Sequence, residues 1–230
     1  MKESNLSAIK DIAKTFLHME PKVNEEFPFI IEHPFLESQY TSVKGNFVNV
    51  LESEENYNQY INELETIIDK INQLERIYYL IRKPYSSAFL KYTYKYLNNK
   101  DLGKILKFHW QNNEYVNIDK NISKLKYVAL FKKCGKELLM TDEELEIFNK
   151  LQKKVKIYRG INNYTNHPVN GLSWTINKEQ AIWFAKRFDE GGILCETEIE
   201  KEHILAYFNY ENETVIDIHF LKNIKKTPIH

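Results

Sequence analysis

The sequence changes character near residue 150, and that change limits what the chain can fold into more tightly than any other feature. Before it, apolar residues recur at steps of three and four. After it come short alternating runs, and four of the seven glycines lie beyond residue 159. A period of 3.6 marks helix and a period of two marks strand. The chain therefore reads as α+β, a mainly helical region over 1–150 followed by a region over 151–230 that mixes strands and helix, with the two parts free to share one core.

In the first region, Leu6, Ile9, Ile12, Ala13, Phe16 and Leu17 predict a helix over 4–18 with Ser4 as its cap. Pro21, Pro28 and Pro34 break the following apolar run, so residues 21–50 are expected to be irregular but packed. Over 54–82, Tyr57, Tyr60, Leu64, Ile67, Ile71, Leu74, Tyr78 and Ile81 form a heptad seam. Such a seam either zips a dimer or packs within its own chain. The extra apolar residues Ile61, Ile68 and Ile77 widen the stripe and favour the second. Pro84 is expected to end that helix, with others over 86–98, 101–110 and 121–133. Thr141-Asp-Glu-Glu144 reads as a capping box.

Strands are expected at 155–158, 193–199, 204–207 and 213–218. Three features stand out among them. Tyr158-Arg159-Gly160 closes the first strand. Only four arginines occur among 32 basic residues, so an arginine at a strand end either makes a structural ion pair or offers its planar fork to phosphate or carboxylate. Gly171 precedes Ser173-Trp174-Thr175, whose two hydroxyls share one face of an extended segment. Asn177 then caps a helix in which Ala181, Phe184, Ala185 and Phe188 form the core face. Trp183 lies off that face, half-buried or stacking on a flat ligand. Last, Glu211 and Glu213 share one side of a strand by its period of two. Two such carboxylates repel unless a cation, a donor or a substrate compensates.

Taken in order, the strand arginine, the Ser-x-Thr strand running into a helix and the Glu-x-Glu strand resemble the Arg–Ser–Glu class of ADP-ribosyltransferases, found among bacterial toxins and phage-encoded enzymes. The resemblance covers about residues 150–220. It implies a split β-sandwich with flanking helices that binds NAD, without a metal, in a cleft between two small sheets. Arg159, followed by Gly160, would hold the pyrophosphate and adjacent ribose. Ser173, with Trp174 and Thr175 behind it, would shape the nicotinamide-ribose site. Glu213 would be the catalytic glutamate and Glu211 the upstream residue that helps choose the acceptor. Trp183 and Phe184 would wall the nicotinamide pocket. One departure is Thr214, where many members carry Val or Ile after the catalytic glutamate. A one-residue shift would put Thr214 at the catalytic position and imply an inactive protein.

The activity so implied is mono-ADP-ribosylation of a macromolecular acceptor, protein or nucleic acid, with the helical region recognising the target or a neutralising partner. An inactive module that keeps the fold and uses the 54–82 helix as its contact surface is the alternative. A two-carboxylate glycosidase fits less well, because Glu211 and Glu213 approach from one side. Formal net charge is +0, so no global field draws the chain to nucleic acid or an anionic membrane. Cys134 and Cys195 lie outside any CxxC, and reduced thiols in a cytoplasmic protein are expected. His18, His33, His109, His167, His203 and His219 lack metal-binding spacing and are expected at the surface or in the core.

Overall fold

The computed structural model describes residues 3–113, 116–162, 168–188 and 191–229; His167 lies outside them. The chain is α+β and divides into two compact units, Met1–Ile105 and Leu106–His230. That division falls well before residue 150: the helices over 124–150 belong to the unit that holds the large sheet.

In the first unit, α1 (Leu6–Leu17) is capped by Asn5, whose side chain accepts the Ala8 N–H at 3.0 Å. Ser4 instead donates to Asp101 and accepts the Asn98 N–H. Residues 21–50 are more regular than three prolines suggest. β1 (Lys22–Val23) pairs with β2 (Ile31–Glu32), and β3 (Tyr40–Val43) with β4 (Asn46–Asn49). The second hairpin turns through Lys44 and Gly45, both at positive φ, the conformation that matches strand twist in a two-residue loop.

The heptad seam is interrupted. α2 (Glu54–Lys70) and α3 (Leu74–Leu80) are separated by Ile71, which is extended at ψ 126°. The flanking Ile61, Ile68 and Ile77 are buried, while the seam residue Ile67 is 40% exposed. Burial thus follows the widened stripe. Pro84 sits in the first turn of α4 (Lys83–Thr93), where its missing N–H costs nothing, so it opens a helix instead of only closing one. Buried His33 is a core histidine. Its Nδ1 accepts the N–H groups of Phe35 and Leu36, Nε2–H donates to Leu17 O, and burial lowers its pKa.

α5 (Asn99–Asn112) runs through the division of the chain, and its last turns belong to the second unit. There follow α6 (Lys124–Cys134), α7 (Lys136–Leu139) and α8 (Asp142–Lys150). The capping box at α8 has both arms: Thr141 Oγ1 accepts the Glu144 N–H at 3.2 Å, and Glu144 Oε2 accepts the Thr141 N–H at 2.8 Å. Then come β5 (Lys154–Asn162), β6 (Ser173–Thr175), α9 (Lys178–Lys186), β7 (Gly192–Glu200), β8 (Ile204–Phe208), β9 (Glu213–Ile216) and β10 (Lys225–Ile229). The last strand has no counterpart in the sequence-based reading.

These strands make one antiparallel sheet in the order β10-β7-β5-β6-β9-β8. β5 and β7 pair over nine residues, whereas β5 meets β6 through the single pair Tyr158↔Thr175. The sheet is therefore two three-stranded halves joined at one rung. α9 lies against the β5–β7 half, and glycines allow it. A Cβ on Gly160 would stand 1.9 Å from Ala181 O, and one on Gly192 2.4 Å from Ala185 O. Ala181 and Ala185 face the sheet, but Phe188 is 52% exposed. The helix has ended by then: Phe188 has φ +77°, so helical spacing no longer carries it to the core face. Cys134 and Cys195 are free and buried. No described helix is long and apolar enough to cross a membrane.

Candidate active site

The rung between the half-sheets opens on a cleft of about 500 Å³, within the usual range of roughly 300–1,000 Å³ for ligand sites. Arg159, Ser173, Glu211 and Glu213 all border it, with Gly160, Trp183 and Phe184. Side chains more than 50 residues apart in sequence thus meet in one place.

Register explains which groups face inward. β6 and β9 pair as Ser173↔Val215, Trp174↔Thr214 and Thr175↔Glu213. Directly paired residues share a face, so Ser173, Thr175 and Glu213 lie together, and Trp174 and Thr214 lie on the other side. Thr214 is fully buried, and a one-residue shift of the motif would turn the cleft's acid away. Trp174, expected among ligand-binding residues, is only 2% exposed and donates its indole N–H to Gly171 O at 2.9 Å. It backs the cleft instead of offering a stacking face. Trp183 is 55% exposed at the cleft edge, edge-on to Phe184.

Glu211 does not extend the strand. It closes a short 3-10 turn, Asn209–Glu211, and Asn212 then adopts a left-handed conformation at φ 48° before β9 begins. Period-two geometry thus does not relate the two glutamates, although both reach the cleft. The turn is held from three sides. Thr175 Oγ1 donates to the carbonyls of Glu211 and Asn212, Tyr207 Oη donates to Asn212 Oδ1, and the Asn209 N–H donates to Glu144, the same carboxylate that caps α8.

Arg159 is 8% exposed. One terminal nitrogen donates to Ser173 O, and its Nε–H is buried with no partner among the described residues. The guanidinium lies against Gly171, where a Cβ would stand 2.6 Å from its central carbon. The glycine before Ser-Trp-Thr therefore makes room for the arginine. Burial lowers the Arg159 pKa to about 10, which leaves it charged at neutral pH.

Glu213 is half-buried. Burial raises its pKa to about 7, opposed by hydrogen bonds from the Ser173 hydroxyl and the Trp110 indole and by the charge of Arg159, while nearby Glu211 pushes it further up. A raised pKa means that the folded state holds a proton the unfolded chain releases. Glu213 therefore favours the fold below its ordinary 4.5, and this contribution is lost as pH rises to about 7. Glu213→Gln should remove that dependence. Relative to the parent, the variant should gain on the order of 1–3 kcal/mol between pH 5 and pH 8, measured by urea denaturation at both pH values. An identical pH dependence in the two proteins would refute it.

Trp110 and Arg187 are among the cleft residues that sequence alone does not point to. Trp110 comes from the last turn of α5 and Arg187 from the end of α9, over the rings of Trp183 and Phe188 at 5.7 and 4.9 Å. Rarity was the available signal: all three tryptophans and two of the four arginines border this cleft. The described histidines lie elsewhere. His109 is buried against Tyr127 with a pKa lowered to about 4, His203 stacks on Phe220, His219 binds Asp217 and His18 pairs with Glu65. Among the described residues, no group of three His, Cys, Asp or Glu side chains is arranged to hold a metal ion. No protein-family model, curated protein or solved structure matches the chain.

Proposed function

We propose that the protein is a mono-ADP-ribosyltransferase that uses NAD as co-substrate and modifies a macromolecular acceptor. The observation that carries this reading is the meeting of Arg159, Ser173 and Glu213 in one cleft at the junction of two half-sheets. The single-rung junction is what supports a split β-sandwich as the finer description of the fold. NAD requires cations for its diphosphate, flat apolar surfaces for its rings and a carboxylate near the scissile ribose. Arg159 has a buried N–H with no partner among the described residues, and Arg187 borders the same cleft beside Trp183 and Phe188. These residues suit such a ligand.

In this reading the bond between ribose C1′ and the nicotinamide nitrogen breaks, and its electron pair leaves with nicotinamide. Positive charge builds on the sugar, as in glycoside cleavage. Glu213 accepts a hydrogen bond from the 2′-hydroxyl and stabilises that charge, in a setting where a charge interaction is stronger than in water. Arg159 holds the diphosphate while the sugar moves, and Glu211 orients the acceptor, whose nucleophile then bonds to C1′.

The direct test is incubation with NAD labelled in its adenylate half and a cell lysate, with label followed separately in protein and RNA. Label in either fraction is expected; label in neither, with no release of nicotinamide, would refute the proposal. Gly171→Ala offers a second check. Its methyl would displace the guanidinium, so NAD affinity measured by calorimetry should fall about tenfold or more, the equivalent of one charge-assisted hydrogen bond. Unchanged affinity would remove Arg159 from the binding role.

A further inference from the structure

Trp110 belongs to no part of the motif that suggested the activity, yet it makes a direct side-chain contact with Glu213. It is 4% exposed, and its Nε1–H donates to Glu213 Oε1 at 2.9 Å. A tryptophan N–H only donates. The bond therefore suits a carboxylate oxygen and would be weaker if that oxygen carried the proton.

The indole is itself held in place. Tyr127 and Phe131, one turn apart on α6, meet it edge-on with ring centroids 5.7 and 5.1 Å away. Both are almost fully buried. Tyr127 is tied in turn to His109 at 2.8 Å and to Asp119 at 3.2 Å. A ring clamped on two sides by other rings has little freedom to swing its N–H away.

We infer that Trp110 is a positioning residue for Glu213: α5 and α6 form a rigid wall whose single indole donor fixes the orientation of that carboxylate and favours its ionised form. The wall gives the helical residues after position 105 a task at the site. Its bearing on turnover rests on the transferase reading; its hold on Glu213 does not.

Other charged and titratable groups around the cleft are Arg159 from β5, Arg187 after α9, Glu211 from the preceding turn, and the phenols of Tyr158 and Tyr210. Behind the indole stand His109, Asp119 and Tyr127. Trp110→Phe leaves all of these in place and removes only the N–H and one ring. Replacement of Trp110 by 3-benzothienylalanine keeps the bicyclic shape and substitutes sulfur for N–H, which controls for any packing defect.

The experiment is carbon-13 NMR titration of the Glu213 side chain in the three proteins without NAD, followed by the pH profile of nicotinamide release. Both variants should titrate about one pH unit higher than the parent, as expected for losing one hydrogen bond to a charged group. The acidic limb of the rate profile should move with the carboxyl. Release at pH 7 should fall about fivefold, in kcat more than in KM. A folded benzothienyl protein whose Glu213 titrates as in the parent would overturn the inference. The NMR arm decides this even if no NAD is consumed, a result that would instead count against the transferase reading.

Discussion

On the transferase reading, Glu213→Gln should lower the rate of nicotinamide–ribose cleavage by about 10²–10³-fold, the usual cost of removing one preorganised group that meets transition-state charge. The amide keeps the size of the side chain, so NAD affinity should change little and the loss should fall in kcat. On the same reading, the parent protein should also gain activity with pH. Burial raises Glu213 to about 7, so the ionised fraction, and with it the rate, should climb through neutrality and level off above it. A glutamine variant with near-parental turnover would mean that another group performs the chemistry. Glu211→Gln makes the contrast: as the proposed orienting residue, it should depress transfer to the acceptor more than hydrolysis to water.

Gly160→Ala should have the largest effect on stability, about 3 kcal/mol or more, because a methyl placed there meets backbone and not a side chain that can yield. Its Cβ would lie 1.9 Å from the Ala181 carbonyl and 2.6 Å from the Ala185 nitrogen. α9 would have to lift from β5, carrying Trp183 and Phe184 with it, so on the transferase reading the variant should bind NAD poorly even where it remains folded. Urea denaturation with an unchanged m-value would measure the first effect. A loss below about 0.5 kcal/mol, within the range of ordinary surface changes, would contradict this packing. By its place beside Arg159 in the motif, Gly160 is expected to contact the ligand. The space around it assigns it first to helix packing.

Local signals were legible where one short stretch determines the outcome. The Thr141–Glu144 box and the Asn177 cap need only the next three residues, and both are present. Four expected strands form within a few residues of their expected ends. What escaped depends on partners distant in sequence. Ile71 leaves the helix without a glycine or proline to mark the break, and periodicity alone cannot register such a turn. β10 has little alternation of its own and exists by pairing with β7. Phe188 continues the apolar spacing of α9, but the helix stops before reaching it. At the site, the motif residues could be named because their order is local to three short segments. Trp110 could not, since nothing within ten residues of it refers to an acid a hundred positions later.

Three indoles occur in the chain, and every one of them stands at this cleft: one against its acid, one behind its floor, one at its rim. Red-edge excitation, which bypasses the fifteen tyrosines, therefore interrogates a single region of the protein. The unmodified polypeptide carries its own optical reporter, and the proposed dinucleotide binding can be tested by quenching without attaching a dye.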